Sequence, residues 1–402
     1  MAQSLLTIDM ITAKALEILE NNLVITRNVN RQYDDSFARE GAKIGDTLRI
    51  RLPDRALVTD GAALQVQEVN EQQTTLTISS QKHIGVNFTS AEMALSLDDF
   101  ADRILKPRVS QLAASIDADV ANSFRSIYQS VGTPGTTPAT SLVLLQAQQK
   151  LDEAAAGRSP RYATVNPAAN AGLVEGMKGL FNPTSTISRQ FKNGMMGEGI
   201  LGLDEINMSQ SIKQFTTGDR ASTGASVNDT PAEGDAEITL SSAGVSKTYK
   251  KGEVFTIADC YAVNPQTRES TGSLQQFVVT EDATSTAGGA VTLKISPALY
   301  SASTALATVN TIAVNTKGVT FLGSLSTQYP QNLVYHRDAI TFATADLMLP
   351  QGVDMASRQV HNGISMRIVR QYDINNDRMP CRIDVLYGYS VIRPQMAVRM
   401  WG

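Results

Sequence analysis

Residues 219–329 read as a β unit set inside a chain that is helical or mixed on either side of it. The runs AEITL, EVFTI, QQFVVT, AVTLKI, NTIAV and GVTFLG are separated by Gly, Asn and Asp turns, the spacing of strands in a small barrel or sandwich. Of its 111 residues only 17 are charged, 10 acidic and 7 basic. A helix-bearing or mixed pattern resumes at YPQNLVYHRDAITFATADLMLP, so the β unit is an insertion and the parent domain continues on both sides. A chain of 402 residues has room for two or three cores. The fold must therefore let one core interrupt another.

The parent sequence alternates helical and strand periodicities. Ile8, Ile11, Ala15, Leu16, Leu19 and Leu23 recur at helical spacing, with Asp9, Glu17 and Glu20 between them, which predicts an amphipathic helix and not a signal peptide. Leu48, Ile50 and Leu52 alternate with Arg49 and Arg51, and Pro53 ends that strand. With ALQVQEV, TTLTISS and HIGVNF, residues 45–88 read as a long polar β excursion with little apolar surface of its own. Ser96 and Asp99 form a capping-box-like start to a long helix. Its stripe runs through Phe100, Ile104, Leu105, Val109, Leu112, Ile116, Val120, Phe124 and Ile127. Pro107 either kinks that helix or opens its main segment; from there to Gln129 is 23 residues, roughly 35 Å. Two shorter helices come next, one ending at Gly157 and one capped by Asn166 with Pro167 in its first turn, with the strand candidate RYATV between them. The C-terminal CRIDVLYGYSVIRPQMAVRMWG is strand-like, with Ile383, Val385, Tyr387, Tyr389 and Val391 on one face and an edge or bend at Pro394.

Chemistry-bearing motifs are scarce. GEGILG at 197–202 matches GxGxxG formally, but the run LDEINMSQSI after it reads as strand or loop instead of the helix that a dinucleotide fold requires, so a glycine-rich turn is expected. His83, His336 and His361 have no metal-ligand spacing, and His336 beside Asp338 lacks a nucleophile motif. Neither a GxSxG elbow nor a P-loop occurs. No enzymatic activity, cofactor or metal is expected. Cys260 and Cys381 cannot build a disulfide framework, which points to a reducing compartment. Net charge is −4 with a pI near 5.6, against a dedicated nucleic-acid binder. No stretch is apolar enough to span a membrane, so a soluble protein made inside a cell is expected. Arg49, Arg51 and Arg55 form either a solvated strand face or, as a polar arm unable to stabilise itself favours, pairs with acidic residues of a neighbouring subunit. Asp98, Asp99 and Asp102 suit a helix N-terminus by the macrodipole and are carried with the arginines as contact candidates. Residues 350–402 hold seven Arg against four Asp, a surplus of three that allows contact with DNA.

The order of these elements resembles the major capsid protein of tailed bacteriophages, of the Hong Kong 97 type. DMITAKALEILENNL, VNRQYDDSF, GAKIGDTLRIRLP, FTIADCYAVNPQT and YGYSVIRPQMAVRM are similar to the coat proteins of short-tailed phages related to the Salmonella podophage. The resemblance runs over nearly the whole chain. It implies an α+β fold with an N-terminal arm at 1–41, an E-loop at 42–88, and a peripheral domain with a spine helix at 89–139. It further implies an axial domain at 140–218, an inserted β-barrel at 219–329, and the second axial part with terminal strands at 330–402. The implied function is self-assembly, as hexamers and pentamers with a scaffolding protein and a portal protein, into an icosahedral procapsid. That shell matures around double-stranded DNA, with contact to a decoration protein possible; the protein would be assembled in the bacterial cytoplasm and reside in the virion. The insertion is implied to aid folding and to contact neighbours in the precursor shell. Some relatives cross-link a lysine to an asparagine; Lys43 and Lys82 lie in the corresponding region without a matching motif, so no cross-link is assigned. The rival expectations are a tail subunit, a cellular encapsulating shell, a monomeric binding module, or a nucleotide-binding enzyme using GEGILG.

Overall fold

The computed structural model describes residues 8–34, 47–53, 55, 56, 61, 66, 73–88, 105–177, 197–221, 224–374 and 379–402. These gather into two compact units. The first draws on segments 1–51, 73–120 and 340–392, and the second on 52–72, 121–339 and 393–402.

In the first unit the N-terminal periodicity becomes the helix Ile8–Asn22, which buries Ala15, Leu16 and Leu19. The strand Asn30–Asp34 then pairs in parallel with Ile340–Ala345. The centre of this six-stranded sheet is the 13-residue strand Met379–Val391, paired with Ser80–Phe88, Ile364–Arg370 and Ile340–Ala345. Its alternation predicts one buried face, yet Ile383 to Gly388 are all buried. The second face is covered because the ribbon formed by Thr47–Arg51 and Gln73–Thr77 folds back over it. There Leu76 and Ile78 pack with Ala343, Ala345 and Leu386. Gly388 permits that approach: a Cβ on it would stand 2.3 Å from the Thr77 carbonyl oxygen.

The long helix is shorter than the 23 residues expected. Regular α geometry covers Lys106–Ala121, 16 residues, and tightens to a 3-10 helix at Asn122–Ser126. Asn122, Ser123 and Ser126 compete with the backbone for hydrogen bonds and so favour a helix end. The tighter turn is compatible with full burial of both Phe124 and Ile127. Pro107 stands beside the first residue of this helix, as its second placement required. The Ser96 and Asp99 cap and the stripe positions Phe100 and Ile104 lie outside the described residues.

In the second unit a seven-stranded sheet runs in the order Ser130–Val131, Ala397–Trp401, Gln328–His336, Arg161–Val165, Leu203–Met208 and Gly197–Ile200, with Gln214–Thr216 also on Gln328–His336. Helices Ser141–Glu153 and Pro167–Gly176 supply Leu144, Ala147, Leu151 and Leu173 to its core, against Val334, Val398 and Met400. The first helix ends before Gly157: Ala155 takes the left-handed position at φ 54°, and Ala156 N–H closes the turn on the Leu151 carbonyl at 2.9 Å. Asn166 caps the second, its Oδ1 accepting from Ala169 N–H at 2.8 Å. YPQNLVYHRDAITFATADLMLP forms two strands, Gln328–His336 and Ile340–Ala345, joined by a single 3-10 turn, and carries no longer helix. Pro394 marks a bend into Ala397–Trp401, which is an inner strand and not an edge.

Within this unit Ser226–Val227, Asp235–Ser241, Val291–Leu299, Ser270–Val279, Val254–Val263 and Val319–Phe321 form a second six-stranded sheet. Its ends meet through Val227 N–H on the Lys317 carbonyl and Val319 N–H on the Ala225 carbonyl, both 2.9 Å, so the sheet is nearly closed. Phe255 lies between Phe277 and Phe321, with ring centroids at 5.6 and 5.1 Å, in a core with Ile238, Leu240, Tyr249 and Leu293. Five of the six predicted runs overlap strands; NTIAV does not. It is a loop that buries Val314, with Val309 just before it, so its apolar residues fill the core without adding a ladder.

Candidate functional site

Three segments lie outside the sheets of Met379–Val391 and Gln328–His336: the N-terminal helix, the β ribbon and the insertion. Each is fastened by a buried or half-buried charge.

The N-terminal segment is held by Asp117, 2% exposed on the long helix. Its carboxylate accepts from Val24 N–H (2.6 Å), Ile25 N–H (3.4 Å), Thr26 N–H (3.0 Å) and the Thr26 hydroxyl (2.6 Å). These are the opening N–H groups of the short helix Ile25–Asn28, which has no capping side chain of its own. A second tie is Glu20, which accepts from Arg31 Nη1 (3.1 Å) and Asn362 Nδ2 (2.7 Å) and stands 3.3 Å from His361 Nε2. Burial pushes the Glu20 carboxyl up, but those hydrogen bonds and the charges of Arg31 and His361 hold it below its ordinary value of 4.5. A depressed carboxyl stabilises the fold above its unfolded value and loses that contribution as pH falls through its folded value. Glu20→Gln is accordingly expected to lower stability by about 1–2 kcal/mol at neutral pH, with the gap from wild type closing below 4.5. Thermal melts of both proteins across that range measure it; a gap independent of pH refutes the assignment.

The ribbon is fastened at its base. Beyond the nine-residue pairing of Ser80–Phe88 with Met379–Tyr387, Lys82 Nζ meets Asp119 Oδ2 at 2.6 Å and donates to the Ser115 hydroxyl (2.7 Å) and carbonyl (2.9 Å). Tyr387 donates its phenolic proton to the same Asp119 oxygen at 2.7 Å; burial and that carboxylate push its pKa far up. Asp384, fully buried, takes Arg367 and Arg382. Arg49 and Arg51 stand opposite Thr75 and Gln73 on the ribbon, and both are exposed.

The insertion is clamped where the chain enters and leaves it. Glu253 accepts from Gly218 N–H (2.9 Å), Lys250 N–H (3.1 Å) and Arg220 Nη1 (2.8 Å). Arg220 Nη2 donates to the carbonyls of Leu322 (3.0 Å) and Gly323 (2.6 Å). The entering and leaving strands are thus tied to one buried ion pair. Burial pushes the Glu253 carboxyl above its ordinary range, against the pull of Arg220 and the two N–H groups. Gly218 is required there, since a Cβ would stand 2.1 Å from the Thr248 carbonyl oxygen. From the parent sheet, Arg399 Nη1 donates to the Gly252 carbonyl at 2.8 Å, and the Gln276 amide exchanges hydrogen bonds with the Ser130 backbone at 2.6 and 3.0 Å.

Among the described residues, the motifs singled out in the sequence do not form a reaction centre. GEGILG is a β-hairpin: Gly197–Ile200 pairs antiparallel with Leu203–Met208, and Leu201 and Gly202 form the turn at φ 53° and 72°. No helix N-terminus is available there for a pyrophosphate, which removes the cofactor-loop reading. His336 is buried, with Nδ1 accepting from Asp338 N–H at 3.2 Å. Burial pushes the Cys260 and Cys381 thiols up to about 12. Among the described residues no group of three or more His, Cys, Asp or Glu could hold a metal ion, and no helix is long and apolar enough to cross a membrane.

The family described as P22 coat protein, gene protein 5, matches residues 1–402. The chain belongs to the P22 coat protein family. It is therefore a major capsid protein of a tailed phage, and the α+β, Hong Kong 97-like class implied by the sequence holds. Solved structures similar to this coat protein include that of Mycobacterium phage Che8, at 12% identity over 94% of this chain and 90% of that one, with a TM-score of 0.47. The mature capsid of bacteriophage PhiM1 is similar at 11% identity over 94% and 86%, TM-score 0.42. The capsid of Ralstonia phage GP4 is similar at 9% identity over 100% and 94%, TM-score 0.41. No curated protein matches the chain.

Of the contact candidates in this coat protein, Arg49 and Arg51 sit together on the ribbon and Arg55 is half-buried just beyond it. Asp98, Asp99 and Asp102 lie outside the described residues. Lys82 is committed to Asp119 and Ser115. Among the seven arginines of 350–402, Arg358, Arg367, Arg370 and Arg382 are paired with Asp346, Asp384, Asp354 and Asp384, and Arg399 is buried. The fastening residues Asp117, Asp119, Glu253 and Arg399 escaped sequence reasoning. Their one signal is an ionisable residue placed within an apolar helix or strand pattern.

Proposed function

We propose that this coat protein assembles with a scaffolding protein and a portal into an icosahedral precursor shell that matures around double-stranded DNA in the bacterial host. The observation that carries the reading is the family match over residues 1–402. The domain plan accompanies it: arm at 1–41, E-loop at 42–88, peripheral domain at 89–139, axial parts at 140–218 and 330–402, and insertion at 219–329. Arg49, Arg51 and Arg55 on the E-loop pair with acidic residues of a neighbouring subunit, and Asp98, Asp99 and Asp102 are further contact candidates. Exposed ion pairs contribute only ~0–1 kcal/mol each, so many such contacts sum over a closed shell while a misplaced subunit still dissociates.

Support comes from the division of labour in the structure. The three segments are tied down at their bases by buried charges, whereas the ribbon strands expose Arg49 and Arg51. Arg49→Glu combined with Arg51→Glu is expected to leave a folded subunit and to reduce closed-shell yield at least tenfold. Co-expression with the phage's scaffolding protein, then negative-stain electron microscopy and sedimentation, reads this directly. Wild-type chain should give uniform closed shells with scaffold, and irregular particles or free subunits without it. Free subunits under both conditions would overturn the reading, and normal shells from the double variant would remove the arginines from it.

A further inference from the structure

Beneath the insertion, one face of the parent sheet carries a set of buried polar atoms, mostly hydrogen-bond donors, that have no partner among the described residues. Leu333, Arg399 and Ser130 stand in register across three neighbouring strands, and Gln331 pairs with Trp401 two residues along. Arg399 is fully buried. Its Nη1 reaches the carbonyls of Gly252 (2.8 Å) and Phe124 (3.3 Å), while Nε and Nη2 meet no acceptor among the described residues. The indole Nε1 of Trp401, the Ser130 hydroxyl and both the nitrogen and the oxygen of the Gln331 amide are also buried without a partner among the described residues. The rings of Phe124, Phe215 and Trp401 flank the guanidinium, with centroids 5.8, 5.9 and 5.1 Å from its carbon.

The charge balance is equally one-sided. Arg220, Glu253 and Arg399 sum to +1, and Glu253 is hydrogen-bonded to Arg220, Gly218 and Lys250, not to Arg399. Burial pulls the Arg399 pKa down to about 9, with the Glu253 charge acting only in part against it. A buried charge without a counter-charge is far costlier than a buried neutral group. Arg399, Trp401 and Gln331 lie side by side on this face, and each carries at least one buried N–H group without an acceptor among the described residues. A single water offers two lone pairs and no charge; a monatomic anion accepts several N–H groups at once and neutralises the guanidinium.

We propose that Arg399, Trp401 and Gln331 form a binding site for one halide-sized anion, seated between the parent sheet and the base of the insertion. The anion completes the junction that Glu253 and Arg220 begin, so the insertion's attachment depends on it. This proposal is independent of how shells assemble.

Trp401 is the chain's single tryptophan and so reports on the site. The full-length chain is refolded from urea in sodium gluconate and titrated with sodium bromide at constant ionic strength. Trp401 emission is expected to be quenched to a plateau, with chloride competing for the quench and caesium, a cationic collisional quencher, without effect on the buried ring. The melting temperature should rise with the logarithm of chloride concentration, as for any ligand of the native state. Gln331→Glu supplies a tethered carboxylate to the same donors, and both the bromide plateau and the chloride dependence should vanish. In the wild-type chain, absent or linear quenching together with equal melting temperatures in gluconate and chloride would overturn the site, whatever the variant does. A Gln331→Glu protein that folds and still shows the bromide plateau would overturn it as well.

Discussion

Glu253→Ala is expected to destabilise the second unit by about 3–5 kcal/mol, because it leaves the Arg220 guanidinium buried without its counter-charge. Arg220 and Glu253 are 2% and 1% exposed at the side chain, so solvent does little to screen the loss. The same change orphans the Gly218 and Lys250 N–H groups that hold the entering strand. Urea unfolding of the full-length chain measures the effect. Replacing both partners, Arg220→Met with Glu253→Gln, should recover much of it, since a buried pair exchanged for neutral groups is often near-neutral while a broken pair is not. The coupling is the decisive quantity: a double variant whose loss equals the sum of the single losses would show that the two residues do not act together.

Asp117→Ala is the second large effect. Its carboxylate is the acceptor for three consecutive backbone N–H groups and the Thr26 hydroxyl, and each buried donor left unsatisfied costs about 1–3 kcal/mol. The expected net loss is on the order of 3–5 kcal/mol, because some donors will find water once the turn loosens. The damage should be local first. Hydrogen exchange at Val24, Ile25 and Thr26 and along the helix Ile8–Asn22 should accelerate, while the amides of Val291–Leu299 in the insertion stay protected. Asp117→Asn should not rescue the site, because the amide's Nδ2 would donate towards N–H groups that also donate. Uniform acceleration across the chain would mean that Asp117 supports global stability and not the fastening of the N-terminal segment. Wild-type exchange at residues 24–26 would remove the anchor altogether.

Much of the architecture is legible along the chain. The apolar spacing of Ile8 to Leu23 specifies a helix, the alternation of Leu48 to Leu52 a strand, and Asn166 with Pro167 a helix start; each reads correctly because the controlling interactions lie within a few residues. The same holds for GEGILG, where the lack of a helix after it was enough to expect a turn. Errors arise where a distant segment decides. NTIAV has strand-like composition, but in the structure it is a loop whose Val314 joins the core of the nearly closed sheet. Tyr387 and Leu386 belong to opposite faces of one strand, and both are buried because the ribbon base covers a face that local alternation assigns to solvent.

The fastening charges are the clearest division between what sequence determines and what tertiary structure decides. The family can be read from phrases spread along the chain, and several helices and strands from local periodicity. Asp117 lies 93 positions from Val24, and Arg399 lies 147 from Gly252. No spacing rule links residues so far apart, and in isolation each is only a polar residue inside an apolar pattern. Burial gives them meaning: once water is removed, a charge must find donors or acceptors among whatever the fold brings beside it. Periodicity determined which segments form helices and strands; the packing of distant segments against them determined which further faces are buried and which charges hold this coat protein's segments in place.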